Sequence, residues 1–479
     1  MQPVLTVAEM NAVDAAALAS TSLEELVGRA GLAVALAAMD LMGGAYGRRV
    51  AVVVGPGNNG ADGRVAARLL GRRGARTTVV EAGAAAALGP VDLVIDAAFG
   101  TGFRGEFRFP PVPPGTPVLA VDIPSGVRGD TGEASGAPAS ADRTVTFVAL
   151  KPGLLQGDGV RFAGRVTVAD IGLPAGTPRA ALVEDRDVAA LVPERARRGN
   201  KWSAAVLVVA GSPGMTGAAG LCARAAYRAG AGMVRLGVPG LDLADSPASE
   251  AVSVALPAEG WAASALDAAA RCSAVVVGPG LGRAPGTASE VARLVADSPV
   301  PVVVDADGLH ALGRVGADGS LQARSRVVLT PHSGEYARLT GGDPGPDRIA
   351  AALALAAASG AVALLKGPTT AVAHPDGRVR LARAGTTALA TAGTGDVLSG
   401  VIGALLARGV DPLEAAAVAA HIHGRAGALA HGEGTVAGDL PDLVATVLAT
   451  LRAPEGPSGR RSGSRRGDPD GLGGGGRRG

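Results

Sequence analysis

Half of the chain's four asparagines are adjacent, Asn58 and Asn59, within the run Gly55-Pro56-Gly57-Asn58-Asn59-Gly60-Ala61-Asp62-Gly63. The run follows an apolar segment, 49–54, and leads into a helix-like stretch, 64–70. A strand, a glycine-rich turn and a helix start present unpaired N–H groups and the positive end of a helix dipole, an arrangement suited to a diphosphate. The two amides add oxygens and donors that a plain turn does not need. Two later apolar runs end in carboxylates: 91–95 reaches Asp96, followed by Ala97-Ala98-Phe99-Gly100-Thr101-Gly102, and 118–121 reaches Asp122-Ile123-Pro124-Ser125-Gly126. In an open parallel sheet the C-terminal strand ends line one crevice, so these groups should converge. Together they offer hard oxygens for a cation, or a carboxylate to move a proton. For any one Asp taken alone, a simple turn cap is the alternative.

A second set lies in the C-terminal half. Thr391-Ala392-Gly393-Thr394-Gly395-Asp396 runs into the helical stretch 397–407, and the apolar segment 361–365 ends in Lys366-Gly367-Pro368-Thr369-Thr370. Glycines at a helix start admit a phosphate, a carboxylate there can take a proton from an attacking hydroxyl, and a lysine can meet nucleotide phosphates. The alternatives are a helix cap and a solvated lysine.

What must position these groups follows from the rest of the chain. At 479 residues the chain exceeds one hydrophobic core, so two domains are expected. With 47% apolar residues, wholesale disorder is excluded, and 73 glycines with 32 prolines show no collagen period. Aromatic residues make up 2%, which argues against a stacking surface for single-stranded nucleic acid. Only Lys151, Lys201 and Lys366 are lysines among 45 basic residues, so a lysine in a special context stands out. Two cysteines, Cys222 and Cys272, fit a reducing compartment. No basic-then-apolar leader and no membrane-length apolar run is legible, so the expectation is a cytoplasmic protein with no membrane and no nucleic-acid partner.

Continuous Val/Ile/Leu runs without polar alternation suit strands buried on both faces. The pattern breaks over 172–198 and resumes at 204–210. The expected division is a first α/β domain, 1–190, a second, 191–452, and a disordered basic tail, 453–479. Strands of the second domain are expected near Val206, Val234, Val275, Val302, Val327 and Ala363, with helices over 217–231 and 413–430.

GPGNNGADG, DAAFGTG, DIPSG and Ala149-Leu150-Lys151-Pro152-Gly153 together resemble the NAD(P)H-hydrate epimerase domain, over roughly residues 1–175. The resemblance implies a Rossmann-like three-layer sandwich. It assigns Asn58, Asn59, Gly60, Ala61, Asp62, Gly100, Thr101, Gly102, Phe103, Arg104, Gly105, Glu106 and Asp122 to the hydrated nucleotide, and Asn59, Asp96 and Ser125 to K+. Asp96 or Asp122 is the candidate for proton transfer. Ala61 departs from the family pattern, which has glycine there; if the position required φ > 0, alanine would cost about 1 kcal/mol.

From residue 200 to about 450, the chain resembles the ribokinase-like fold, in its NAD(P)H-hydrate dehydratase branch. Ala210-Gly211-Ser212, Arg228-Ala229-Gly230-Ala231-Gly232, Val277-Gly278-Pro279-Gly280, Val304-Asp305-Ala306-Asp307, Leu329-Thr330-Pro331-His332 and the Lys366 and Asp396 strings carry the likeness. The resemblance implies that Ala218, Gly280, His332 and Asp396 contact the hydrated nucleotide, with Asp396 as base. Lys366, Gly367, Pro368, Thr369, Thr370 and Gly395 would hold ADP, with Mg2+. The implied whole is a bifunctional repair enzyme for NADHX and NADPHX, expected as a homo-oligomer. The alternative is a ribokinase-like small-molecule kinase with an N-terminal nucleotide sensor.

Overall fold

The computed structural model describes residues 1–84, 87–195, 199–248, 250–315, 321 and 326–452; the tail expected over 453–479 lies outside them. Two α/β units are present, each built on one sheet with helices packed against it. The first sheet has six parallel strands in the order Arg76–Glu81, Arg49–Val54, Leu93–Ala97, Val118–Val121, Arg143–Phe147 and Arg165–Ala169. The four inner strands are buried apolar runs because both faces are covered, one by helices and the other by the segment around Phe107 and Phe109, while the outer strands Arg76–Glu81 and Arg165–Ala169 are partly exposed. Val50, Val52 and Ile95 pack with Val34, Ala38, Ala66 and Leu70 of two helices on one face, while Ala51, Val53 and Val94 pack with Phe107 and Phe109 on the other.

Chain order reverses between Arg49–Val54 and Leu93–Ala97, since the chain first visits Arg76–Glu81 on the outer side. Such a switch point opens a crevice beyond the strand ends, and Asn58, Asn59 and Asp96 sit there. The register Val53↔Asp96 makes Asp96 part of the strand Leu93–Ala97, rather than the residue that follows it.

The loop expectation for 55–63 is corrected. The helix starts at Asn58 and runs to Arg72, so Asn58 through Gly63 form its first turns, with Gly57 at the N-cap. Here the glycines serve close approach: a Cβ on Gly60 would lie 1.9 Å from the Gly55 carbonyl oxygen, and one on Gly63 2.5 Å from Ala97 Cβ. Ala61 has no positive φ, and its N–H donates to the Gly57 carbonyl at 3.1 Å. Alanine therefore fits a helical position without strain, and the penalty anticipated for it does not arise.

The second sheet has eleven strands. Seven parallel strands run from Val252–Val254 through Met233–Gly237, Ala205–Val209, Ala274–Val277, Val302–Val304 and Val327–Leu329 to Val362–Leu365. Two antiparallel strands follow, Thr370–Ala373 and Val379–Ala382. All six strands expected from the sequence are among these, and the expected helices appear as Thr216–Arg228 and Pro412–Leu429. Asp411 accepts the Leu413 N–H and Pro412 opens the latter helix, a start the sequence encodes directly.

The far edge comes from elsewhere in the chain. Ala180–Leu182 pairs parallel with Val379–Ala382, and Gln2–Val4 pairs antiparallel with Ala180–Leu182. The helix Asp185–Leu191 also packs on Pro412–Leu429 and Leu440–Arg452. Residues 180–190, taken from sequence as the end of the first domain, thus pack with the second unit, Ala180–Leu182 in its sheet and Asp185–Leu191 against its helices. No helix among the described residues is long and apolar enough to cross a membrane.

Candidate active sites

At the first switch point a cleft of about 470 Å³ is lined by Asn58, Asn59, Asp62, Gly100, Thr101, Gly102, Phe103 and Asp122 of the anticipated residues. Asp14, Phe99, Phe147 and Lys151 line it too. Gly60, Ala61, Arg104, Gly105 and Glu106 do not. Three of the chain's six phenylalanines therefore face one cleft, and Phe99 stacks on Phe103 with centroids 4.6 Å apart. The aromatic scarcity read from composition hides a local concentration.

Asp122 sits at φ 65°, a left-handed conformation that a non-glycine residue adopts at a cost. Its carboxylate is held by the Lys151 ammonium at 2.6 Å and the Thr146 hydroxyl at 2.9 Å. Lys151 is 1% exposed, and its remaining bonds go to Thr146 Oγ1 and the Phe147 carbonyl. Asp62 has no such cation: burial, then the negative charges of Asp122 and Asp14, push its pKa up to about 8. Asp14 is likewise raised, by burial and by Asp122, with Lys151 opposing. The cleft therefore holds a lysine-paired carboxylate and a carboxyl that keeps its proton at neutral pH.

Asp96 and Ser125 lie beneath the cleft, both fully buried. Ser125 donates its hydroxyl and its N–H to the two Asp96 oxygens, and the Ala98 N–H reaches Asp96 Oδ1 at 3.4 Å. Burial, opposed by these bonds, lifts the Asp96 pKa to about 6. As a candidate for proton transfer Asp96 is thus placed away from the cleft surface. The oxygens of Asn59, Asp96 and Ser125 are hard donors of the kind K+ takes, and all three residues are buried.

The second site gathers at the ends of Val302–Val304 and Val362–Leu365. Asp305, 1% exposed, receives Lys366 Nζ on Oδ1 at 2.8 Å and Ser399 Oγ on Oδ2 at 2.6 Å. Burial would raise its pKa, but Lys366 and the bonds from Lys366, Ser399 and Thr330 outweigh burial and hold it below the usual range. Lys366 lies 3.6 Å from Glu335 Oε2, and Glu335 in turn accepts the His332 N–H. His332 caps its helix, its Nδ1 accepting the Gly334 and Glu335 N–H groups.

Asp396 stands in the first turn of Thr394–Ala407, behind Gly393 at φ 89°. A Cβ on Gly395 would sit 3.5 Å from Lys366 Nζ and 3.7 Å from Asp305 Oδ2, so the glycine turn borders the ion pair directly. Burial first, then Asp305, raise the Asp396 pKa to about 7. Beneath the turn, burial holds His423 at about 4, neutral, with a hydrogen bond to the Thr394 backbone. Ala218 and Gly280 abut, since a Cβ on Gly280 would lie 2.9 Å from Ala218 Cβ. Their loop joins the rest through Gly282 N–H to Asp307 at 3.0 Å. Of the 366–370 segment, Gly367 backs onto Arg348, Pro368 is exposed and Thr369 buries a hydroxyl without a partner. Thr370 Oγ1 reaches the Gly367 carbonyl at 3.5 Å.

Sequence reasoning left Lys151, Asp62 as an acid, Asp305 and Glu335 without chemical roles. Two signals were present: Lys151 is one of three lysines, and Asp305 ends a Val-Val-Val run as Asp96 ends its own. Among the described residues the non-glycine residues with left-handed φ are Asp122, Val148 and Ala306, all at these two sites.

A strand-end cleft and a strand-end ion-pair cluster, each holding a carboxyl raised to neutrality or above, are features of a two-site α/β enzyme. Residues 206–449 match the family model for NAD(P)H-hydrate dehydratase, and 23–87 and 80–153 match the YjeF-related protein N-terminus. The bifunctional NAD(P)H-hydrate repair enzyme of Salinibacter ruber is 38% identical over 93% of this chain and 96% of its own length. That of Mycobacterium tuberculosis is 42% identical over 78% of this chain and 82% of its own. A ribokinase-like superfamily protein of Enterococcus faecalis shares the fold at TM-score 0.50 and 22% identity, covering 58% of this chain and 96% of that one. The chain belongs to the family of bifunctional NAD(P)H-hydrate repair enzymes.

Proposed function

We propose that the two clefts divide the repair of hydrated NAD(P)H between a protonated Asp62 facing the Asp122 carboxylate and an Asp396 base facing Lys366. The enzyme is an NAD(P)H-hydrate epimerase and an ADP/ATP-dependent NAD(P)H-hydrate dehydratase. The observation that carries the assignment is the contrast between neighbouring carboxyl groups in the first cleft: burial and negative neighbours raise Asp62 to about 8, whereas Asp122 is ion-paired with Lys151 at 2.6 Å.

In the hydrate, the C6 hydroxyl sits beside the ring nitrogen. Asp62 protonates it as the C6–O bond breaks, the nitrogen lone pair forms the C=N bond, and water leaves. Water re-enters on the opposite face of C6, and Asp122 accepts its proton. Phe99 and Phe103 offer an apolar wall for the hydrated ring, and the start of the helix Asn58–Arg72 takes phosphate. Asn59, Asp96 and Ser125 would hold K+, which would supply a positive charge beneath the cleft.

In the second cleft Asp396 takes the proton of the S-hydrate's hydroxyl as its oxygen attacks the terminal phosphoryl group of the nucleotide. ADP gives AMP, and a phosphate ester forms at C6. Phosphate then departs from C6 and a proton leaves C5, restoring the C5=C6 double bond. Lys366, Thr369, Thr370 and the Gly393–Gly395 turn hold the phosphoryl oxygens, while Ala218, Gly280 and His332 border the hydrate. Mg2+ supplies charge neutralisation on the transferring phosphates. No group of three or more His, Cys, Asp or Glu among the described residues forms a metal cage, which suits an ion held chiefly through the nucleotide.

Asp396→Asn is expected to abolish ADP-dependent recovery of absorbance at 340 nm from the S-hydrate while interconversion of the epimers, followed by chromatography, continues. Dehydration by the variant at an undiminished rate would remove Asp396 from the chemistry. Accumulation of a stable phosphorylated product by the wild type would favour the kinase reading.

A further inference from the structure

Away from both clefts, four arginines meet around a cavity of about 300 Å³: Arg195, Arg228, Arg408 and Arg452, with Gly230 and Leu448 between them. They come from the C-terminal ends of three helices, Thr216–Arg228, Thr394–Ala407 and Leu440–Arg452, and from the chain just after Asp185–Leu191. Arg228 is ion-paired with Asp442 at 2.7 Å. Among the described residues, no carboxylate pairs with Arg195, Arg408 or Arg452.

These three instead donate to backbone carbonyls: Arg195 to Ala231 at 3.0 Å, Arg408 to Ala229 at 3.1 Å and to Pro193, and Arg452 to Val192. A guanidinium carries five N–H donors, so each keeps several unused. The cost of assembling them is visible at Arg408, whose pKa is driven down to about 10 by burial and then by the charges of Arg452 and Arg195. Gly230, at φ 100°, makes the approach possible: a Cβ there would meet Arg408 Nη1 at 2.8 Å. Capping a helix end explains one arginine per terminus. It does not explain three unpaired guanidiniums turned toward one cavity, where like charges repel and planar forks match the oxygens of a phosphate.

We propose that this arginine cavity binds a multiply charged phosphate anion, of the class of pyrophosphate or a small phosphorylated metabolite, at a site separate from both active clefts. Asp396 and Arg408 stand at opposite ends of the helix Thr394–Ala407, about 20 Å apart at the usual rise per residue. The cavity and the dehydratase cleft are therefore distinct.

The test is calorimetric titration of the full chain with inorganic pyrophosphate, without Mg2+, against sodium chloride at matched ionic strength. Arg195→Gln, Arg452→Gln and Lys366→Met are compared with the wild type, and circular dichroism checks each fold. The expected result is saturable binding that weakens at least tenfold in R195Q and in R452Q and persists in K366M. No binding beyond the chloride control overturns the proposal, as does binding that K366M abolishes or that R195Q and R452Q both leave unchanged. Arg195 is exposed, so R195Q decides the matter even if R452Q fails to fold.

Discussion

Asp62 and Asp396 are both held above the ordinary carboxylate range, yet they are asked for opposite service, and pH separates them. Asp62 must keep its proton to release the C6 hydroxyl, so epimerase kcat/KM should fall as pH rises through about 8. Asp396 must lose its proton to act as base, so dehydratase kcat/KM should climb as pH rises through about 7. Rate profiles of the two half-reactions, measured separately, should therefore slope in opposite directions between those values; parallel slopes would contradict the assignment of acid and base. Lys151 gives a second check. Lys151→Met leaves the Asp122 carboxylate and Thr146 without their cation, a loss of about 3 kcal/mol seen in denaturant unfolding, with epimerase activity falling more than tenfold. Rarity in the sequence singled out Asn58, Asn59 and Lys366, of which the structure places the two asparagines on the first cleft and the lysine on Asp305. It marked Lys151 equally well, but its carboxylate partner Asp122 follows a different strand, and the sequence does not say that the two meet.

At the scale of elements, periodicity and strand runs were legible because burial on both faces leaves an unbroken apolar signature. The glycine run at 55–63 was less so, since glycine marks a loop in sequence and here marks a helix pressed against a strand. Ala61→Gly tests that difference. In a loop requiring left-handed φ the change would stabilise; in the helix it should cost about 0.5–1 kcal/mol and leave epimerisation unchanged. One polar contact between the two units was invisible for another reason: it is made by a single side chain, Gln156. Gln156, buried, donates to Asp347 Oδ1 and to the Asp130 carbonyl, and accepts the N–H groups of Arg348 and Ile349. It thereby caps the helix Arg348–Ser359 of the other unit, whose Arg348 donates to Ser333 and to the Lys366 carbonyl. Gln156→Ala should orphan those N–H groups, lower stability by about 1–3 kcal/mol and raise the dehydratase KM for ADP, with the KM of the R-hydrate unmoved. Equal changes in both constants would mean general loosening instead of a local effect on Lys366.

For the whole molecule, the expectation of two domains meeting near residue 190 runs into the way the sheets are assembled. Ala180–Leu182 and Asp185–Leu191 serve the second unit, and Gln2–Val4 forms that sheet's edge after a loop through the entire first unit. Val4, Ile123, Leu150 and Leu154 share one apolar cluster with Leu207, Val304 and Leu365. An isolated piece spanning 191–452 would leave Val379–Ala382 as a bare edge and uncover that cluster, conditions that favour aggregation. The joined chain should therefore unfold in one cooperative calorimetric transition, although its length would ordinarily predict two. Val4→Ala isolates the point, because Val4 is fully buried yet lies far in sequence from the dehydratase residues. Loss of its methyl groups should cost about 2 kcal/mol and lower the temperature at which dehydratase and epimerase activities are lost by the same amount. If dehydratase activity kept its wild-type thermal limit while epimerase activity fell, or if the 191–452 piece alone matched the stability of the full chain, the two units would be independent and the shared core would carry no cooperativity.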